Sequence, residues 1–264
     1  MNFRIILPII VLLLISILNN NFVSAETFNL IEQKELFEQA LLDSNNNNFE
    51  QALGEWDQYL DDFPNDPAAH SNRGNIRLTL GDIEGAIEDQ NIAIKLSPNE
   101  YDPYINRGIA QEAKQNWDKA AEDYLKVIEN DSANPSAIYN LANVRNSQCS
   151  WREARDLYKK ASSISSGFVM ARSSMALLDY QLGNYEAAEN EFRKLIRKYP
   201  YFADARAGLT ALLWQKGAFG EAESNWVAAS GLDIRYSNNN WLTEIRRWPP
   251  NPATDLDQFL SLNR

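Results

Sequence analysis

Residues 69–98 decide the fold, and they read AHSNRGNIRLTLGDIEGAIEDQNIAIKLSP. The letters form two segments rich in helix-forming residues, separated by the dipeptide GD. The dipeptide SP closes the second segment, and Gly, Ser and Pro are residues at which helices commonly end. The stretch therefore predicts a helix, a short turn and a second helix.

The same pattern returns every 34 residues along the chain. An alanine marks the period, at positions 52, 86, 120, 154, 188 and 222. Three residues before each alanine stands a large apolar residue: Phe49, Ile83, Trp117, Trp151, Tyr185 and Phe219. Twelve residues before it stands a small one: Ala40, Gly74, Gly108, Ala142, Ala176 and Thr210. A fixed period of this length indicates stacked repeats, each of which buries its apolar face against the next.

The chain resembles the tetratricopeptide repeat family. The resemblance rests on the 34-residue period, on NRG at 72–74 and again at 106–108, and on AIEDQNIAIKLSP. It implies an all-α fold, a right-handed α-solenoid of six 34-residue helix–turn–helix repeats with a C-terminal helical cap. The predicted repeats are 33–66, 67–100, 101–134, 135–168, 169–202 and 203–236, within a solenoid of 26–236 capped by a tail of 237–264. A coiled coil is the weaker alternative, because the sequence lacks sustained heptads.

The first 25 residues have the pattern of a secretory signal. Arg4 precedes the apolar run 5–18, and the small residues Val23, Ser24 and Ala25 follow, which predicts cleavage after Ala25. The alternative is a membrane anchor, but the run is shorter than the roughly 20 residues that a spanning helix needs. The ending after Asp233 also resembles exported repeat proteins of cyanobacteria and plant plastids. That resemblance implies a periplasmic or thylakoid-lumen location.

Charge and composition narrow the classes of function. Acidic residues outnumber basic ones by 36 to 25, which argues against a nucleic-acid partner. Cys149 is the only cysteine and His70 the only histidine, and they are more than two repeats apart, so they do not form a catalytic pair. Neither a phosphate-binding loop nor a metal-ligand pattern is visible. We therefore expect no catalytic residue, no metal and no small-molecule cofactor.

Family resemblance implies a groove, lined by the first helix of each repeat, that binds a peptide. One groove column carries Asn72, Asn106 and Asn140, and Asn75 and Asn143 extend the same face. Each asparagine offers a donor and an acceptor to the backbone of a bound strand. Asparagine is abundant in this chain, so chance placement is the alternative. The positions of a carboxylate clamp lack the basic residues that it requires.

The groove becomes apolar in the fifth and sixth repeats. Tyr180 and Trp214 are predicted to face it, and either an apolar partner segment or the chain's own tail would cover them. The tail contains apolar residues that need burial: Trp241, Leu242, Ile245, Trp248, Phe259 and Leu260. Arg246 and Arg247 between them are expected to be solvated, paired with acidic helix faces, or in contact with a partner.

These observations favour a monomeric, non-catalytic scaffold that binds a protein or peptide in its groove. The resemblance adds a role in assembling a membrane complex. A solenoid that associates with itself through its end repeats is the alternative, and an enzyme is the least favoured class.

Overall fold

The computed structural model describes residues 30–262; the predicted signal segment 1–25 lies outside this range. The described residues form helices and turns and contain no strand, which confirms the all-helical fold class. The helices are α1 (30–45), α2 (Phe49–Asp62), α3 (Pro67–Thr79), α4 (Ile83–Leu96), α5 (Asp102–Ala113), α6 (Trp117–Asn130), α7 (Pro135–Ser147), α8 (Trp151–Ile164), α9 (Val169–Gln181), α10 (Tyr185–Lys198), α11 (Ala203–Gln215), α12 (Phe219–Leu232) and α13 (Pro250–Leu262).

Each predicted repeat holds one pair of these helices, from α1 with α2 to α11 with α12. The start of the first pair and the end of the sixth compare with the predicted bounds as follows. The first helix already includes residue 30, three residues before the predicted first repeat, whereas the sixth pair ends at Leu232, four residues before the end of its predicted repeat, as every other pair does. There Asp233 ends the helix, because its carboxylate accepts the backbone N–H of Arg235 and starts a 3₁₀ turn at Ile234–Ser237.

The turn inside every helix pair has one residue with a left-handed backbone. These residues lie 34 apart: Asn47 (φ 62°), Gly81 (90°), Gln115 (58°), Cys149 (58°), Gly183 (81°) and Gly217 (77°). A residue with a Cβ pays about 1–2 kcal/mol there, whereas glycine does not. The periodic turn therefore tolerates other residues at a moderate cost in stability.

Small residues bring the two helices of a pair into close contact. A Cβ built on Gly108 would lie 2.5 Å from the ring of Tyr124 on the partner helix, and Ala120 is wholly buried between the same helices. Since real atoms do not approach so closely, a side chain at position 108 would require the buried Tyr124 ring or its helix to shift. The small-residue positions of the 34-residue pattern thus set the interhelical distance.

The chain divides into two compact units, which we call the first unit (described from residue 30 to Asn106) and the second unit (Arg107 to residue 262). In the second unit the core includes the tail. Leu242, Trp248, Leu256 and Phe259 are buried in one cluster with Tyr180 of α9. Across residues 30–262, no helix has the length and apolar character needed to cross a membrane.

Candidate peptide-binding groove

In the first unit, the surface between α3 and α5 forms a polar cleft, which we call the open cleft. It has a volume of about 510 Å³. Its polar lining consists of Ser71, Asn72, Asn75, Ser97, Glu100, Asp102 and Asn106. Three of the five asparagines predicted for the groove thus lie together in one concave site.

Two asparagines of the open cleft are held in place by neighbouring side chains. Asn106 donates its amide N–H to Ser71 Oγ (3.1 Å), and the Asn75 amide oxygen accepts from Gln90 (3.2 Å). Asn72 is half-buried, and its side chain has no hydrogen bond to any described residue. The cleft therefore presents Asn72 with unused donors and acceptors beside two fixed neighbours.

The two remaining predicted asparagines lie on α7 in the second unit. Asn143 accepts a hydrogen bond from the Tyr158 hydroxyl (2.7 Å), so its carbonyl already has a partner. Asn140 is half-buried, and no described residue bonds to its side chain. Asn72 and Asn140 therefore have the unused hydrogen-bonding capacity that a bound backbone would need.

The groove of the second unit is covered by the chain's own tail. Four residues spaced 34 apart, the tail column, each contact it: Glu112, Asn146, Tyr180 and Trp214. Glu112 binds the Arg247 guanidinium, and Asn146 donates to the Arg247 carbonyl (2.6 Å). Further along, Tyr180 donates to Asp255 (2.5 Å), and the rings of Trp214 and Phe259 are 5.8 Å apart. A partner would reach Tyr180 or Trp214 only if the tail moved away.

Asp204, near the start of α11, is the polar centre of this contact, and its carboxylate is fully buried. Arg246 donates to both carboxylate oxygens, through Nε (2.9 Å) and Nη2 (2.7 Å). The remaining donors are Ser173 (2.5 Å), Tyr236 (2.9 Å) and Trp248 Nε1 (3.1 Å). A bidentate arginine with further donors satisfies the buried charge.

The ionisation of Asp204 follows from these contacts. Burial by itself would raise the pKa of the carboxyl, but the Arg246 charge and the hydrogen bonds outweigh it and leave the pKa below its ordinary value. Arg246 is therefore paired with an acidic residue of a groove helix and is largely buried, not solvated.

Arg247 makes the second charged contact of the tail. Its guanidinium lies 5.4 Å from the centre of the Trp117 ring and pairs with Glu112, which also accepts from the buried Tyr124 hydroxyl. The backbone of Arg247 is left-handed, with φ at 56°. Such a conformation persists only where the surroundings hold it, and here Asn146 holds the carbonyl.

Sequence reasoning identified Tyr180 and Trp214 but missed Glu112, Asn146 and Asp204. The 34-residue spacing of the tail column was visible, yet its residue types vary from acid to amide to aromatic. Only contact with a single irregular segment unites them.

Comparison with known proteins establishes the family. The tetratricopeptide repeat family model matches residues 37–101, 105–167 and 174–231, which is more than half of the chain. The protein belongs to the tetratricopeptide repeat family. A TPR repeat-containing protein of Methanocaldococcus jannaschii is 24% identical over 200 residues, covering 69% of this chain. The alignment spans only 34% of that relative's length.

Solved structures share the fold. A tetratricopeptide repeat protein from Parabacteroides merdae superposes with a TM-score of 0.63 and 18% identity, over 88% of this chain and 93% of that one. PilF of Pseudomonas aeruginosa superposes with a TM-score of 0.64 and 16% identity, over 87% and 97% of the two chains. At these identities the likeness concerns architecture. Family membership supports a protein-binding scaffold as the general class.

Proposed function

We propose that this protein is a non-catalytic scaffold that binds an extended segment of another protein in the open cleft. One observation carries the proposal: the groove of the first unit is open and polar, while the groove of the second unit is filled by the tail. The covered groove illustrates how repeats of this chain hold a peptide segment.

The chemistry of the open cleft suits a peptide backbone. Asn72 offers both a carbonyl and an amide, and an extended strand presents alternating acceptors and donors. Each such hydrogen bond contributes roughly 0.5–1.5 kcal/mol, so affinity must also come from neighbouring contacts. Asn75 and Asn106 are already positioned by the fold, which lowers the ordering cost of binding.

Site-specific photocrosslinking tests the proposal. A photoreactive residue replaces Asn72 in one variant and Glu88, which is exposed on α4, in the control. We expect the variant at position 72 to capture a discrete protein in the native host and the variant at 88 not to do so. Equal capture at both positions, or capture at neither, would remove the open cleft as a binding site.

The cellular setting is part of the proposal. The predicted signal, with cleavage after Ala25, supports export to the periplasm or thylakoid lumen. The proposed monomeric state and the role in assembling a membrane complex rest on resemblance to exported repeat proteins. Amino-terminal sequencing of the purified native protein should find Glu26 first. Recovery of an intact Met1 from the membrane fraction would contradict export by this route.

Self-association is the second candidate, and α12 is the observation in its favour. This last repeat helix leaves large apolar side chains exposed, with Phe219 at 53% and Val227 at 71%. Exposed apolar patches can mark interaction surfaces. Sedimentation at several concentrations decides between the candidates: a monomer supports the scaffold, and a dimer that Val227→Asp dissociates supports self-association.

A further inference from the structure

The open cleft repeats part of the site that holds Arg246. Asp102 and Asp204 are 102 residues apart, which is three periods, and the same interval relates Ser71 to Ser173. Both pairs therefore occupy equivalent repeat positions. In each unit the aspartate is near the start of the first helix of its repeat, and the serine is on the first helix of the preceding repeat.

In the second unit these two residues form an arginine site. Ser173 donates to Asp204, and Asp204 accepts the Arg246 guanidinium at 2.7 and 2.9 Å. The next residue, Ser174, lies 3.5 Å from the same guanidinium. Its equivalent in the open cleft is Asn72. The structure thus contains one occupied arginine site whose aspartate and serine positions recur in the open cleft.

The open cleft differs because its carboxylate is unused. Asp102 is exposed, and within the described part of the chain its carboxylate has no hydrogen-bond or ion-pair partner. Glu100 adds a second carboxylate, and the lining contains no Lys or Arg. The Ser71 hydroxyl oxygen accepts a hydrogen bond from the Asn106 amide. These groups match the planar, multiply donating guanidinium better than a neutral or acidic side chain.

The first unit is much more acidic than the second, and this difference also favours a cationic ligand such as arginine. Residues 1–106 carry 17 acidic and 5 basic residues, whereas residues 107–264 carry 19 and 20. The net negative charge of the chain therefore belongs to the sequence of the first unit. Such a field attracts cationic segments and raises their rate of association.

We propose that the open cleft binds an arginine of a partner protein segment, with its guanidinium on Asp102 as Arg246 is on Asp204. This inference rests on the proposed scaffold function and specifies the chemistry of its partner. Asn72 and Asn106 bind the backbone on either side of the arginine.

Peptide binding to the full chain tests the inference. The probe is a fluorescent peptide with the sequence TEIRRWPP, residues 243–250, because this segment already fits the equivalent site. The chain's own tail keeps the probe from the Asp204 site, since a tethered segment has a high effective concentration. The test variant is Asp102→Asn. The matched control is Asp61→Asn, which makes the same change in charge at an exposed position of the first unit.

We expect Asp102→Asn to weaken probe binding by about tenfold or more and Asp61→Asn to leave it within about twofold, since charge-assisted bonds exceed general attraction. A probe with lysine in place of both arginines should bind more weakly to the unmodified chain. Unchanged circular dichroism and denaturation midpoint in both variants would exclude misfolding.

The inference would be overturned by equal weakening by both variants, by no weakening by Asp102→Asn, or by equal binding of the lysine probe. A concentration-dependent dimer abolished by Asp102→Asn would make a second copy the occupant and overturn the assignment to a partner. The scaffold proposal is judged separately by photocrosslinking at position 72. A captured partner that binds Asp102→Asn normally would retain the scaffold and reject the arginine site.

Discussion

The groove between α3 and α5 in the first unit is open, whereas the groove of the second unit is covered by the tail, although both use the same repeat. The aspartate and serine are common to both sites, and the difference lies beside them. The open cleft has Asn75 and Asn106 where the covered groove has Leu177 and Gly208. Leucine adds apolar surface to the cluster that contains Trp248, and the absence of a Cβ at Gly208 lets the Phe192 ring pack against the backbone there. These two differences, one in each of two repeats, accompany the change from a polar, uncovered groove to one filled by the tail.

Removal of the tail should give the largest effect. Truncation after Ser237 deletes the buried Leu242, Trp248, Leu256 and Phe259, each worth about 1.5–3 kcal/mol of burial before the cost of ordering the chain. We expect a markedly lower denaturation midpoint, binding of a hydrophobic dye and self-association. The first unit should keep its peptide affinity.

Hydrogen exchange on the intact protein provides the complementary measurement. Slow exchange at residues 241–248 is expected, because the tail is packed and hydrogen-bonded there. Fast exchange throughout the tail, or a truncated protein with unchanged stability, would mean that the two grooves do not differ in solution.

The next largest effect is the difference in stability lost when each of the two equivalent aspartates is replaced by alanine. Asp204→Ala leaves Arg246 buried without its partner, so we expect a loss of about 3–5 kcal/mol in the free energy of unfolding. Asp102→Ala removes an exposed carboxylate in the first turn of α5 and should cost at most about 1 kcal/mol, the value of a favourable charge at a helix end. Urea denaturation of both variants measures the contrast. Losses of equal size would contradict the division into a structural and a binding aspartate.

A pH titration sharpens this contrast. The pKa of Asp204 is lower when folded than its ordinary value of 3.8, so its stabilising effect is fully present above that value. The effect is lost as the pH falls through the lowered, folded pKa. The stability advantage of the unmodified chain over Asp204→Asn should therefore be constant near neutrality and shrink below about pH 4. An advantage that persists undiminished to pH 2 would show that ionisation of Asp204 does not stabilise the docked tail.

The smallest expected effect concerns the periodic turn. Cys149→Gly relieves a left-handed residue that carries a Cβ, and should stabilise the second unit by up to about 1 kcal/mol after the greater freedom of unfolded glycine is deducted. Gly81→Ala makes the opposite change in the first unit and should destabilise it by about 1–2 kcal/mol. Thermal denaturation checks both signs. The same sign for both would mean that the turns of the two units are not equivalent.

The helices were predictable from sequence because their constraints recur. The buried alanines, the small residues such as Gly108 and the turn residues such as Gly81 return at one interval, and local geometry requires each of them. The same 34-residue period predicted that Tyr180 faces the groove. Family membership rests on the same repetition.

The tail contacts were not predictable in this way. Arg246 meets Asp204 across 42 residues, and Arg247 meets Glu112 across 135, and neither separation is a multiple of the period. An aspartate in the first turn of a helix ordinarily indicates only a favourable helix end. The sequence alone shows that acidic residues are concentrated before residue 107. Only the structure shows that two of them, Glu100 and Asp102, line the open cleft.

The contact between Arg247 and Glu112 also changes how the second unit can come apart. In ordinary stacked repeats each repeat contacts only its neighbours, so the last repeat can unfold locally while the others remain folded. Here the tail is bound to α5 through Arg247 and Glu112, and the α13 helix that follows packs against α9 and α11. Local unfolding at the carboxyl end must first break this clasp, the ion pair between Arg247 and Glu112. Repeats four to six should consequently open together, in one cooperative event that begins at the clasp.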